Sequence, residues 1–234
     1  MRSGTIVRIS TMLALAAVTG VAATAAGAQS APAPTMKVGD RWVYNVKSGI
    51  GLATTTYQET REVVSVGGKG GKVKVTGKSA DGKDFTRVEE FASPGALQSG
   101  ALCFGEVYRF PTPLQRVTFP VAPGQRSSKW VDVIAEPAGT KGQINYFFRT
   151  RGWEKLTMPA GAFDAIRVDV LMVLDDSTPF RNATNCNFTY WYSPTVRGTV
   201  RERRTAQYTQ LDQQAEYRVL DAFYELASFT SGKP

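Results

Sequence analysis

The chain has 234 residues, a formal net charge of +8 from 28 Lys and Arg against 20 Asp and Glu, and no histidine. Without histidine, Ser-His-Asp and Cys-His catalysis are excluded, as are histidine-based zinc sites and a histidine general base. Neither a GxxxxGK[ST] motif nor a Gly-rich loop between a strand and a helix is present, so nucleotide binding has no support. We therefore expect a protein that is not an enzyme and that carries no cofactor and no metal.

Residues 1–28 have the pattern of a secretory signal peptide. Two arginines, Arg2 and Arg8, precede an apolar run centred on residues 12–18, and residues 26–28 (Ala-Gly-Ala) are the small residues that precede a cleavage point. The apolar run is too short and too rich in Ala, Thr and Gly for a membrane span, which takes about 20 strongly apolar residues. We predict that the mature chain begins at Gln29, has no transmembrane span, and is periplasmic or secreted, where nucleic acid is not an expected partner.

Residues 29–35 (QSAPAPT) are rich in Pro and Ala and are predicted to be a disordered tether. Residues 36–234 are then predicted to form a single β domain, since all-β domains often run to about 200 residues. The first strand is indicated by Trp42, Tyr44 and Val46, which alternate with less apolar positions and so share one face.

Residues 54–66, 72–76 and 85–91 continue in strand-like patterns. The glycine-rich residues 67–71 are predicted to be a flexible turn, and Asp81-Gly82 a tight hairpin turn, because Asp and Gly tolerate positive φ angles. A meander of antiparallel strands is the consequence. Further along, residues 93–105 look irregular, whereas 110–114 (FPTPL) must be extended because of the prolines. Residues 142–151 are predicted to be a strand leading into two hairpins.

The first hairpin is predicted to turn at Pro159 and Gly161 and to return along a strand with one apolar face. That face comprises Ile166, Val168, Val170, Met172 and Leu174. The second hairpin has Phe188, Tyr190 and Tyr192 on one face and Trp191 on the other. It is broken at Ser193-Pro194 and returns over residues 199–208.

Segments of these hairpins and of both ends of the predicted β domain resemble a known group of proteins. The turn Pro-Ala-Gly-Ala-Phe-Asp-Ala (159–165), the segment Tyr-Trp-Tyr-Ser-Pro (190–194), residues 38–44 (VGDRWVY) and residues 224–229 (YELASF) resemble a group of uncharacterised bacterial envelope proteins. The resemblance implies an all-β fold, a single curved antiparallel sheet forming a half-open or closed barrel with little helix, in the periplasm. It implies no activity. It also implies that residues 222–229 form a strand, a point that periodicity alone leaves undecided. A short helical turn is expected before this strand, around residues 212–218.

Cys103 and Cys186 are the only cysteines, and an exported chain folds in an oxidising compartment. They form either a disulfide, which we predict, or two buried thiols. The two cysteines do not have the spacing found in zinc-binding motifs or in redox-active cysteine motifs.

Two pairs of adjacent carboxylates occur, Glu89-Glu90 and Asp175-Asp176. Adjacent residues of a strand point to opposite faces, so neither pair suits two-carboxylate catalysis. The run 175–178 (DDST) offers oxygens that calcium accepts, although a solvated turn is the commoner explanation.

The densest basic cluster comprises Arg197, Arg201, Arg203 and Arg204. It is either a ridge that attracts anionic headgroups or a charged outer face that protects a sheet edge, and the second reading is favoured. The aromatic residues are either ordinary core or the lining of a groove. For a groove, the candidate ligand-binding residues are Trp42, Tyr44, Tyr190 and Tyr192, with Arg201 and Arg203 at the rim to hold an anionic head.

Two functions of different class follow from these patterns. The first is a non-enzymatic periplasmic binding or carrier protein for an apolar or amphiphilic envelope ligand, such as a lipid. The alternative is a structural or assembly protein of the cell envelope that docks a protein partner. A hydrolase is a distant third.

Overall fold

The computed structural model describes residues 29–50, 53–78, 82–103, 105–174, 180 and 182–233; the predicted signal peptide, Asp81 and the run 175–178 lie outside them. Twelve β-strands and one 3-10 turn, with no α-helix, form in the described ranges. The strands are β1 (Arg41–Ile50), β2 (Ala53–Gly67), β3 (Gly70–Lys78), β4 (Asp84–Ser93), β5 (Ala96–Ala101), β6 (Val107–Gln115), β7 (Arg126–Glu136), β8 (Thr140–Met158), β9 (Gly161–Leu174), β10 (Thr184–Ser193), β11 (Gly198–Gln210) and β12 (Ala215–Thr230).

Each strand pairs antiparallel with its neighbours in sequence, and β12 also pairs with β1, so the sheet closes into a barrel. Closure gives every described strand two partners, so unpaired strand edge remains only where a pairing is short, as between β6 and β7. The predicted all-β fold with a curved antiparallel sheet is therefore confirmed, in its closed form. In the described part of the chain, no helix has the length and apolar character needed to cross a membrane.

Alternation along the strands places one set of side chains inside the barrel. Trp42, Tyr44 and Val46 on β1 are buried while their neighbours are more exposed, as predicted. The predicted apolar face of the first hairpin is also buried: Ile166, Val168, Val170, Met172 and Leu174 are all at most 6 % exposed. Glu89 is buried and Glu90 is not, which agrees with the expectation that adjacent carboxylates face opposite ways.

The two predicted hairpins are present. Met158 pairs with Gly161 across a two-residue turn that begins at Pro159. On the second hairpin, β10 ends at Ser193, and Pro194 begins a single 3-10 turn (Pro194–Val196) before β11 returns. Proline ends the strand because it has no N–H for the ladder.

Three local predictions need correction. Residues 93–105, which looked irregular, contain the short strand β5, whose small residues Ala and Gly give little periodic signal. The helical turn expected around 212–218 is only a turn at 211–214, because β12 begins at Ala215 and its Tyr217 stacks on Tyr208 across the ladder, 5.6 Å between ring centroids. Residues 29–35 are not a free tether.

The segment 29–35 is fixed at two points. Ala31 is buried and exchanges two backbone hydrogen bonds of 2.8 Å with Val121. At the start of the segment, the carbonyl of Gln29 accepts a hydrogen bond of 2.7 Å from the indole N–H of Trp153. Composition predicted disorder here because proline and alanine give no periodicity; contacts with residues more than 80 positions away order the segment.

The barrel wall has one weakly paired seam, between β6 and β7. The two strands pair over only Val107–Arg109 with Ile134–Glu136. Pro111 and Pro113 follow on β6 and have no N–H to donate. The connection from β6 to β7 turns towards the barrel interior, where the hydroxyls of Tyr146 and Tyr190 both donate to the carbonyl of Arg116, at 3.2 and 3.1 Å.

Candidate functional site

The four aromatic residues predicted to line a groove line one cavity inside the barrel. Trp42 and Tyr44 come from β1, Tyr190 and Tyr192 from β10, and all four are at most 7 % exposed. The cavity has a volume of about 180 Å³. We call it the tyrosine cavity. The barrel is therefore closed but not completely filled by its own side chains.

Hydrogen bonds hold these aromatic rings in place as walls. The Trp42 indole N–H donates to the carbonyl of Val196, and the Tyr44 hydroxyl donates to the carbonyl of Thr199, both at 2.8 Å. Gly198 lies between these two acceptors, and a Cβ added to it would come within 2.7 Å of the Trp42 indole nitrogen. The 3-10 turn after β10 and the glycine that follows it thus allow β1 and β11 to approach closely.

The tyrosine cavity extends to one end of the barrel, where partly exposed side chains line it. These are Pro34 and Met36 of the N-terminal segment and Phe119 of the β6–β7 connection. Phe119 stands edge-on to Tyr192, with ring centroids 5.3 Å apart. Further in, the walls include Val73, Phe91 and Val117. The site is a mainly apolar recess whose mouth is formed by two non-strand segments.

A cluster of buried charges crosses the barrel beneath this cavity. We call it the ion cluster, and its members are Glu59, Arg61, Arg87, Glu89, Glu202 and Arg204. Arg61 donates to Glu59 at 2.8 Å and to Glu202 at 3.2 Å, while Arg204 donates to Glu202 at 2.7 Å. Arg87 donates to Glu89 at 3.0 Å.

Aromatic rings sandwich the guanidinium groups of this cluster. Arg61 lies over the Tyr44 ring at 4.6 Å, and Arg204 lies over the Tyr224 ring at 4.8 Å from the centroid. Burial alone would raise the pKa of Glu202, but the guanidinium groups of Arg204 and Arg61 outweigh it and hold that pKa well below its ordinary value. Glu202 is therefore ionised at neutral pH although it is only 1 % exposed.

The tyrosines remain neutral at the same pH. Burial raises the pKa of Tyr192 to about 12, and likewise the pKa of Tyr146 to about 12. These neutral hydroxyls add no negative charge to the barrel interior, and those of Tyr44, Tyr146 and Tyr190 donate to backbone carbonyls.

One further cation faces the tyrosine cavity. Arg116, the first residue after β6, lines the cavity and is only partly exposed. Its charge contributes to the lowered pKa values of Glu89 and Glu202. It nevertheless forms no ion pair within 4 Å with any described residue, unlike Arg61 and Arg197, which also line the cavity.

Arg197 is held by a buried carboxylate instead. Its guanidinium is paired with Asp40, which is fully buried and also accepts from the backbone N–H groups of Lys37 at 3.0 Å and Gly232 at 2.8 Å. This pair ties the N-terminal segment, the β10–β11 turn and the end of the chain together at the mouth of the cavity.

The structure does not bring the other two predicted ligand-binding residues to the tyrosine cavity. Arg201 and Arg203 do not line the cavity; Arg201 pairs with Glu225 at 3.2 Å and Arg203 with Asp221 at 3.4 Å on the outside of the barrel. The buried positions of β11 include Glu202, so its neighbours at 201 and 203 point outward. The basic run is thus divided between the two faces, and it protects no sheet edge because β11 is paired with β10 on one side and β12 on the other.

A second cavity, of about 490 Å³, lies at the opposite end of the barrel. Each charged side chain that lines it is already ion-paired: Lys78 with Asp84, Arg87 with Glu89, Arg204 with Glu202 and Glu59 with Arg61. It is larger than the tyrosine cavity but offers a ligand no charged group without a partner.

The predicted disulfide is confirmed and borders this second cavity. Cys103 and Cys186 are bonded, with an S–S distance of 2.09 Å and Cα atoms 6.2 Å apart. The bond joins the β5–β6 connection to β10. No group of three or more Cys, Asp or Glu side chains in the described ranges is arranged to hold a metal ion.

No protein-family model matches the chain, and no curated protein matches it significantly. Among solved structures, a candidate exported protein with a YmcC-like fold from Bacteroides fragilis is 17 % identical, with 87 % of this chain and 100 % of that chain covered and a TM-score of 0.46. A candidate lipoprotein from Parabacteroides distasonis is 16 % identical, with 86 % and 100 % covered and a TM-score of 0.46.

The hypothetical lipoprotein YmcC from Escherichia coli K12 is 10 % identical, with 83 % of this chain and 85 % of that chain covered and a TM-score of 0.39. These descriptions are of the same kind as the uncharacterised envelope proteins that the sequence resembles. At these identities and TM-scores, the similarity assigns no function to this chain.

Proposed function

We propose that this protein is a non-enzymatic binding or carrier protein of the bacterial periplasm that holds an apolar or amphiphilic ligand in the tyrosine cavity. The observation that carries the proposal is the convergence of Trp42, Tyr44, Tyr190 and Tyr192 on one unfilled, mainly apolar recess. Ligand sites are usually concave and apolar with a few well-placed polar groups. At about 180 Å³ the recess is smaller than the roughly 300–1,000 Å³ of most drug-sized sites, which favours a slender ligand.

An exported location is supported by the signal-like pattern of residues 1–28 and by the Cys103–Cys186 disulfide, since such bonds persist in oxidising compartments. A non-catalytic role is supported by the absence of histidine from the sequence and by the ion pairing of the buried carboxylates in the ion cluster. The docking of a protein partner is less well supported, because closure of the barrel confines unpaired strand edge, on which such docking often depends, to weakly paired places such as the β6–β7 seam.

A fluorescence titration with N-phenyl-1-naphthylamine, a neutral apolar probe, tests the proposal. Val73 lines the cavity and is 7 % exposed, so Val73→Phe is expected to fill the recess and to weaken probe binding at least tenfold. Val66→Phe is the matched control, since Val66 is 46 % exposed. Tyr192→Ala, which removes part of the wall, is expected to weaken binding as well. Equal probe binding by the wild type and Val73→Phe would contradict the proposal.

A further inference from the structure

The charged side chains inside the barrel do not balance. Among the described residues that line the lumen, four guanidinium groups (Arg61, Arg87, Arg116 and Arg204) face three carboxylates (Glu59, Glu89 and Glu202). The pairs Asp40–Arg197 at the mouth and Lys78–Asp84 at the second cavity are each neutral as a whole. Among the described residues, one positive charge therefore has no carboxylate partner, and an anion bound nearby would be favoured.

The position of the excess charge is also defined. The six residues of the ion cluster are paired with one another at 3.2 Å or less. Arg116 is the remaining cation, and it lies on the wall of the tyrosine cavity at the start of the β6–β7 connection. Its backbone is fixed, since its N–H donates to the carbonyl of Gly95 at 2.7 Å and its carbonyl accepts from Tyr146 and Tyr190. The side chain therefore emerges from an ordered point beside an apolar recess.

From these two observations we infer that the ligand of the tyrosine cavity is a singly charged anionic amphiphile, a medium-chain carboxylate, with its head group on Arg116 and its chain in the recess. The inference rests on the proposed function of that cavity. Arginine suits this contact because its planar guanidinium binds a carboxylate through two parallel hydrogen bonds. A phosphate monoester carries a charge of about −1.5 to −2 near pH 7 and would overcompensate one excess positive charge.

The test uses displacement of N-phenyl-1-naphthylamine at pH 7.5 by three compounds with the same ten-carbon chain: decanoate, decanol and decyltrimethylammonium. The wild type is expected to release the probe at a decanoate concentration about tenfold or more below that of decanol, the size of effect expected for one charge-assisted contact. Decyltrimethylammonium is expected to be weaker than decanol. In Arg116→Gln the preference for decanoate should disappear, whereas Arg116→Lys should retain part of it.

Arg149→Gln is the matched control. Arg149 is exposed on β8, so this substitution removes one arginine charge from the outer surface instead of from the cavity. It should keep the wild-type preference, and circular dichroism should show that all variants are folded. Equal displacement by decanoate and decanol, or a preference that persists in Arg116→Gln, would overturn this inference while leaving an apolar site in place. If the probe does not bind the wild type at all, the proposed function fails and this inference fails with it.

Discussion

Replacing Glu202 by leucine is expected to lower the free energy of unfolding by about 3–5 kcal/mol, the usual cost of removing one partner from a buried ion pair. Glu202 is 1 % exposed and accepts hydrogen bonds from both Arg61 and Arg204. Without it, Arg204 loses its one carboxylate partner among the described residues and remains largely buried with an uncompensated charge. Urea denaturation followed by tryptophan fluorescence measures the change.

The matched control is Glu225→Leu on the adjacent strand. Glu225 pairs with Arg201, but its side chain is 34 % exposed, so its loss is expected to cost at most about 1 kcal/mol. If the two substitutions cost the same, the ion cluster does not contribute more to stability than the surface pairs do.

The same carboxylate gives the barrel a defined acid sensitivity. The folded-state pKa of Glu202 lies below that of an unfolded glutamate, about 4.3, and neighbouring Arg87 and Arg61 likewise lower the pKa of Glu89 against the effect of its burial. The stability that a lowered pKa contributes is fully present above the unfolded pKa and is lost progressively as the pH falls from the unfolded pKa through the folded pKa. The wild type should therefore lose more stability than Glu202→Gln between pH 6 and pH 3.

Loss of the disulfide is the second large effect. Cys103 and Cys186 are 83 residues apart in sequence, and in the chain-entropy model closing such a loop stabilises the folded state by about 4 kcal/mol. We expect Cys103→Ala/Cys186→Ala to lower the thermal midpoint by roughly 8–16 °C, given about 2–4 °C per kcal/mol for a domain of this size. Differential scanning calorimetry measures the shift.

Dithiothreitol provides the control for that experiment. Reductant should lower the thermal midpoint of the wild type towards that of the double variant and leave the double variant unchanged. A midpoint that is the same in all four measurements would show that the bond adds little to the stability of the barrel.

The sequence predicts the fold well because successive side chains along a barrel strand alternate between the barrel interior and the outer surface. Ile166 to Leu174 on β9 and Phe188 to Tyr192 on β10 carry this alternation with strong apolar contrast, so their buried faces were assigned correctly. Closure of the sheet could not be derived in the same way. It depends on the pairing of β1 with β12, whose residues are far apart in the chain and whose local pattern was ambiguous.

The candidate site was predicted only in part. Trp42 and Tyr190 were identified because large aromatic residues on an inward face must line either a core or a cavity. The ion cluster was missed, since Glu59 and Arg61 look like exposed residues of a strand when read alone. A signal was present: Glu202 and Arg204 alternate with Arg201 and Arg203, so one pair had to point inward.

Arg116 was missed for a different reason. It lies in a connection between strands, where periodicity gives no information, and its role depends on where the loop turns into the barrel. The second cavity was not predicted either, because its walls come from eight strands and a loop that meet only in the folded barrel.

Native mass spectrometry of the protein, purified from a bacterial envelope extract without detergent, tests the central claim most directly. We predict that the wild type carries the additional mass of one small molecule, which organic extraction releases, and that Val73→Phe gives the mass of the polypeptide alone. A bare polypeptide mass for the wild type, or the same bound mass in both proteins, would contradict the account of the tyrosine cavity as a binding site.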